Sequence, residues 1–330
     1  MEAARRILSA AGPEGLRWFA QLAAAGPPVV ATALPPDADL PLTLLDLAVP
    51  HEDVDALCRL RPHLEASNGL RWILERCAAR LVGAMGEVLD TGFEACPPLP
   101  EDLGPLHRCF SLYVFLAAFP HVQAYHRSRG IPDAVSRHTL ADLGRHMAVH
   151  RWRSGQMGLG RSWLPLHFRG LLYQLGRLQF ERVRADAALV AACRSAGILC
   201  GPADPVLAIH IPEWSGPLAA PACRASLEAA AGFFAGHFPE APVRVATCDS
   251  WLLDPQLADY LPAEANIVRF QRRFRPVESR EDDRSIMTFV FGRQYADPAE
   301  VPRRTALERA IGDHLRAGRH WRGVRGWLAL

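Results

Sequence analysis

The sequence contains no lysine: all 37 basic side chains are arginine. That absence excludes a lysine Schiff base. Paired-cysteine motifs are missing too. The eight cysteines (58, 77, 96, 109, 193, 200, 223 and 248) form no C-x-x-C pair, and several sit inside apolar helical patterns. A disulfide framework suits a short secreted chain, not one of 330 residues. No run approaches the roughly 20 apolar residues that span a bilayer. The first residues, MEAARRILSAAGPEGLRWF, lack the apolar core of a signal peptide. A soluble protein of the reducing cytoplasm is expected. A formal charge of +2 gives no global reason for nucleic-acid or membrane binding. Histidines are dispersed; only His146 and His150 stand four apart on a helical pattern, with no third ligand nearby in sequence, so no metal is expected.

What is present divides the chain in two. Helical periodicity recurs over 2–25, 51–60, 67–89, 103–128 and 132–151, with Ser67 or Asn68 as an N-cap and Pro120 predicting a kink. The pattern over 103–128 is apolar nearly all round, which suits a buried central helix. The Gly-rich stretch SGQMGLGRS (154–162) ends this all-α half, and the boundary is placed between residues 160 and 161. Beyond it, alternating runs at 163–170 and 171–184 read as meander strands, and 267–274 and 285–292 as two later strands. The last segment, TALERAIGDHLRAGRHWRGVRGWLAL, reads as a helix with a frayed aromatic end.

Residues 206–255 form a strand–helix–strand unit: VLAIHIPEW, an Ala-rich amphipathic run, then VRVATCDSWLLDP. Polar residues gather at the downstream ends of both strands: His210 and Glu213 on one, Asp249 and Ser250 on the other. Ligands of open α/β sheets sit at those carboxyl ends, where loops and helix N-termini converge.

The strings GRLQFE, AIHIPE, CDSWLLDPQL and NIVRFQRRF resemble the GNAT-like C-terminal domain of a bacterial acyltransferase family with an α-helical N-terminal domain. The resemblance covers about residues 130–330. It implies an α+β protein: an all-α domain (1–160) followed by a GNAT-like mixed-sheet acyltransferase domain (161–330). It also implies transfer of an acyl group from a thioester, on CoA or an acyl carrier protein, to an amine; amino acids are among the acceptors of related proteins. The thioester is a co-substrate, and no permanently bound cofactor is expected. In such folds a central strand and its parallel neighbour splay apart, and the acyl-pantetheine arm pairs with the exposed backbone. Residues 206–210 and 243–247 are the candidates, with Ile209 and Ile211 lining the arm.

One departure stands out. Many GNAT enzymes hold the CoA pyrophosphate on a Q/R-x-x-G-x-G/A loop. This chain has PEWSGPLAAPACR there, leaving Ser215, Gly216, Arg224 and the following helix N-terminus as the candidates. A non-catalytic binding or regulatory protein is therefore the alternative function. For the chemistry, His210 or Glu213 is the candidate general base; structural hydrogen bonding and helix capping are their alternatives. Asp249 is the candidate to orient His210 or bind the amine. Ser250 is the candidate acid for the departing thiolate, with Tyr260 as its rival. His167, Arg169, Arg177, Gln179 and Trp251 are candidate acceptor contacts, arginine because it pairs bidentately with carboxylates; for Trp251 core packing is favoured. Cys248 reads as a buried apolar residue. The apolar helix around 110–119 is a candidate acyl-chain wall or simply core.

Overall fold

The computed structural model describes residues 1–89 and 92–330. It divides into two compact units, Met1–Tyr173 and Gln174–Leu330.

The first unit is helical: α1 (Glu2–Ala10), α2 (Gly12–Ala24), α3 (Leu40–Asp46), α4 (His51–Ala66), α5 (Asn68–Gly83), α6 (Pro105–Ser128), α7 (Asp133–Leu140), α8 (Asp142–Ser154) and the single turn α9 (Pro165–Phe168). The Ser67 hydroxyl accepts from the Leu70 N–H and fixes the start of α5. The apolar α6 is the centre of the core, with residues 109–118 all buried. The Phe115 ring packs on Phe168, centroids 4.7 Å apart. Each such ring removed from water contributes roughly 1.5–3 kcal/mol, so core packing alone accounts for this helix. The expected helix over 132–151 is two, α7 and α8, broken at Ala141. Near its start α8 crosses residues 47–49 so closely that a Cβ on Gly144 would meet the Ala48 carbonyl oxygen at 1.9 Å. Residues 163–170 do not form the expected strand. Pro165 starts a helical turn, and Gly170, in the left-handed region, ends it.

The second unit is built on a mixed sheet. It holds β1 (Leu172–Leu175), β2 (Leu178–Arg184), α10 (Ala187–Ser195), β3 (Pro205–His210), α11 (Ala220–His237), β4 (Val245–Ser250), α12 (Asn266–Gln271), β5 (Arg275–Glu281), α13 (Asp283–Phe291), α14 (Ala306–Arg316) and β6 (Arg322–Ala329). Strand order is β1-β2-β3-β4-β6-β5. β3 and β4 pair in parallel; β2/β3, β4/β6 and β5/β6 are antiparallel. This is the GNAT-like α+β architecture expected.

Three late elements differ from expectation. Residues 267–274 begin as helix α12, and the Phe270 ring on it meets that of Phe274, three residues past its end, with centroids 5.0 Å apart. Residues 285–292 lie in α13, where Asp282 caps Ser285 N–H and Gly292 closes the end in the left-handed region. These caps and an i, i+1, i+4 apolar set (Ile286, Met287, Val290) outweigh the β-branched composition. The terminal segment is helix α14 and then strand β6, inserted between β4 and β5. A Cβ on Gly326 would lie 2.9 Å from the Phe274 Cβ, so that strand carries glycine where its neighbour passes closest. β5 forms the charged edge, with Pro276 at a register shift where no ladder N–H is required.

Candidate active site

β3 and β4 pair over only two positions, Leu207–Ala246 and Ala208–Thr247. Yet β3 continues to His210 and β4 to Ser250. Past Ala208 no further β3–β4 register pair occurs among the described residues, while β3 stays paired with β2 and β4 with β6. The sheet therefore opens between residues 209–210 and 248–250, and backbone groups that a ladder would use face the gap. Such an edge takes an extended, amide-bearing arm as an added strand. Ile209 lies at the gap with its side chain buried, and Ile211 is the first residue beyond the strand.

His210 stands at the mouth of this opening. Its Nε2 lies 2.7 Å from Oε2 of Glu181 on β2, and the two side chains are only 26% and 17% exposed. The pairing follows from register. His210 lies opposite Gln179, and Glu181 lies opposite Ala208, so Gln179 and Glu181 share the sheet face of His210. Glu181 was not among the residues singled out from sequence. Gln179 is buried, and its side-chain amide nitrogen has no hydrogen-bond partner among the described residues. A buried donor left unpaired costs about 1–3 kcal/mol, which is tolerated where a ligand completes the bond.

After His210 the chain turns through 212–219 to α11. Glu213 lies exposed in that turn, Ser215 is half-buried, and Gly216 adopts φ +80°. α11 begins without a side-chain cap and with Pro221 in its first turn. Arg224 lies exposed on its second turn. The helix dipole still favours an anion at this end.

The family models match in the same two blocks: an N-acyltransferase N-terminal domain over residues 38–170, and a GNAT-like C-terminal domain over 172–328. No curated protein matches the chain. Solved structures do. A crystal structure of an acyltransferase in complex with decanoyl-CoA is 37% identical with a TM-score of 0.88, covering 100% of this chain and 99% of that one. Another, of an acyltransferase in complex with decanoyl-CoA and teicoplanin, is 36% identical over the same shares of both chains, also with a TM-score of 0.88. An acyltransferase mutant in complex with octanoyl-CoA is similar to the same degree, at 36% identity and a TM-score of 0.88.

The chain belongs to this N-acyltransferase family.

In this N-acyltransferase several sequence candidates are engaged elsewhere. Asp249 does not orient His210: its carboxylate takes Arg280 Nη1 at 3.0 and 3.1 Å, reaching across β6 to β5. Glu181 occupies the position beside His210 instead. The Ser250 hydroxyl accepts from the Leu252 N–H and caps the helical turn that follows β4. Trp251 packs against Leu257, Ile286 and Trp321. Tyr260 joins the same cluster, its hydroxyl 3.0 Å from His314 Nδ1 and bonded by Arg319. Cys248 is fully buried, and burial raises its thiol pKa well above the ordinary range, so it is no nucleophile.

His167 and Arg169 belong to the helical unit. His167 is fully buried with Nε2 3.0 Å from Asp142 Oδ2, and His146 Nε2 approaches the same oxygen at 3.3 Å. Burial alone would raise the Asp142 carboxyl; the two imidazoles more than offset this and hold it far below the usual carboxylate range. Burial lowers the His167 pKa. The Arg169 guanidinium donates to the Ala84 and Glu87 carbonyls and lies over the Phe93 ring. His146 thus pairs with Asp142. Among the described residues no cluster of three metal-ligating side chains occurs, and no helix is long and apolar enough to cross a membrane.

Proposed function

We propose that this N-acyltransferase moves a medium-length acyl group from acyl-CoA to an amine, with the pantetheine arm lying in the opening between β3 and β4. The observation that carries this reading is the two-position ladder of these strands with the His210–Glu181 pair at its mouth. An arm paired along residues 209–211 brings its thioester to the carboxyl ends of both strands, next to His210. The diphosphate then meets the turn 212–219 and the N-terminus of α11, with Ser215, Gly216 and Arg224 nearby. Octanoyl- and decanoyl-CoA in the similar structures support both the donor and the acyl length.

The chemistry needs no covalent enzyme intermediate. The amine nitrogen attacks the thioester carbonyl carbon, and His210 takes its proton, directly or through one water. Glu181 orients the imidazole and stabilises the imidazolium as it forms, the role a carboxylate plays behind a histidine base. The Gln179 amide donates to the substrate, at the carbonyl oxygen as charge develops there. The C–S bond then breaks, the proton passes to the departing thiolate, and amide and free CoA result. The acceptor is an amine-bearing molecule; teicoplanin in one similar structure supports a bulky one, and free amino acids remain the smaller alternative.

The test is thiol release from octanoyl- and decanoyl-CoA in the presence of teicoplanin, an amino sugar or free amino acids. Amine-dependent release that His210→Ala abolishes supports the reading. Acyl-CoA binding without release on any amine contradicts it.

A further inference from the structure

The turn 212–219 lacks the glycine-rich sequence that shapes a phosphate cradle, and three prolines at 212, 217 and 221 remove backbone N–H donors from it and from the first turn of α11. Its conformation is imposed from outside. The Arg177 guanidinium, nearly buried, donates from Nε to the Pro217 carbonyl and from Nη1 to the Pro212 carbonyl, both at 3.2 Å. One planar fork thus spans the turn at both ends, holding its first and sixth residues at a fixed separation. A second arginine, Arg273, donates to the Ala220 carbonyl at 3.1 Å, where α11 begins.

Arg177 is itself fixed. It is the second residue of the two-residue turn joining β1 and β2, after Gly176 at φ +69°. Its backbone N–H donates to the buried Ser226 hydroxyl on α11 at 2.7 Å. A Cβ on Gly176 would lie 2.8 Å from that same oxygen. The β1–β2 turn is therefore docked on α11, and the Arg177 side chain runs from that dock to the strand-to-helix turn. Neither carbonyl it holds has an alternative backbone donor in a helix or ladder, because the turn lies outside both.

We infer that Arg177 is a positioning residue for the acyl donor: it pre-forms the 212–219 turn so that the CoA diphosphate meets ordered backbone and the α11 N-terminus. It makes no contact with the reacting atoms. This rests on the placement of acyl-CoA proposed above. Preorganisation of this kind lowers the ordering cost of binding and acts on donor affinity, not on the chemical step.

The experiment compares decanoyl-CoA with decanoyl-pantetheine, which keeps the thioester and arm but lacks the diphosphate and nucleotide. Wild type, Arg177→Met and Arg177→Lys are assayed at saturating acceptor. Arg177→Met is expected to raise KM for decanoyl-CoA by about tenfold or more, with kcat and the kcat/KM for decanoyl-pantetheine within about twofold of wild type. Arg177→Lys, one donor head where Arg has a fork, recovers part of the loss. A merely structural role would lower both donors by the same factor, and that result overturns the inference; so does an unchanged preference for decanoyl-CoA in Arg177→Met. A wild-type enzyme with no preference between the two donors contradicts the placement of the diphosphate itself, and the inference with it.

Discussion

His210 and Glu181 meet at 2.7 Å although they are not register partners: Gln179 lies opposite His210, and Glu181 reaches it diagonally from two residues along β2. Diagonal neighbours on one sheet face are within reach of long side chains. In the proposed reaction the pair acts as a unit, so its two members are expected to be non-additive. His210→Ala should lower kcat by roughly 10²–10⁴-fold. Glu181→Gln should cost less, and the double variant no more than His210→Ala alone. Independent, multiplying losses in steady-state assays would show that Glu181 acts elsewhere.

Gln179 offers a separation of stability from activity. Replacing a buried, unpaired polar group with an apolar one of similar size is neutral or stabilising. Gln179→Leu should therefore hold or raise the denaturation midpoint while lowering kcat/KM by about tenfold. A variant that loses stability but keeps activity would place the amide in the fold and not in the site.

Asp249 provides the opposite contrast. Its ion pair with Arg280 is 44% and 56% exposed, and exposed pairs contribute about 0–1 kcal/mol. Asp249→Asn is expected to leave kcat, KM and midpoint near wild type. A large fall in kcat would restore Asp249 to the catalytic group.

The helical unit contains a buried pH-sensitive histidine. His126 is 1% exposed, its Nδ1 is 2.7 Å from the Ser136 hydroxyl, and burial pushes its pKa from 6.5 down to about 4. The unfolded chain binds this proton first, so the folded state is favoured fully above pH 6.5 and loses that contribution as pH falls towards about 4. The loss amounts to roughly 3 kcal/mol across the window. Urea denaturation at several pH values should show His126→Phe with a correspondingly shallower acid dependence than wild type. Parallel curves for the two proteins would mean that His126 takes up its proton in the folded state.

The strand–helix–strand centre was legible from sequence because its two apolar runs and Ala-rich helix each carry one unambiguous period; β3, α11 and β4 follow in the order expected for 206–255. The site was half legible. His210 follows from its place at a strand end, but Glu181 depends on a register between β2 and β3. Those strands are joined by residues 185–204 and α10, so no tight turn fixes their alignment in the sequence. β6 was missed because glycines at 323 and 326 interrupt its pattern, and the close approach of Phe274 and Arg275 explains the second of them. The segments at 267–274 and 285–292 carry strand-like β-branched and aromatic residues, but helical spacing and, at α13, end caps decide their structure.

The proposed function places the donor arm in the opening between β3 and β4. A crystal structure with decanoyl-CoA bound tests it most directly. The pantetheine amides are expected to hydrogen-bond to backbone at residues 209–211 or 248–250, with the thioester beside His210. A donor seated away from this opening, with β3 and β4 unchanged and His210 distant from the thioester, would contradict it.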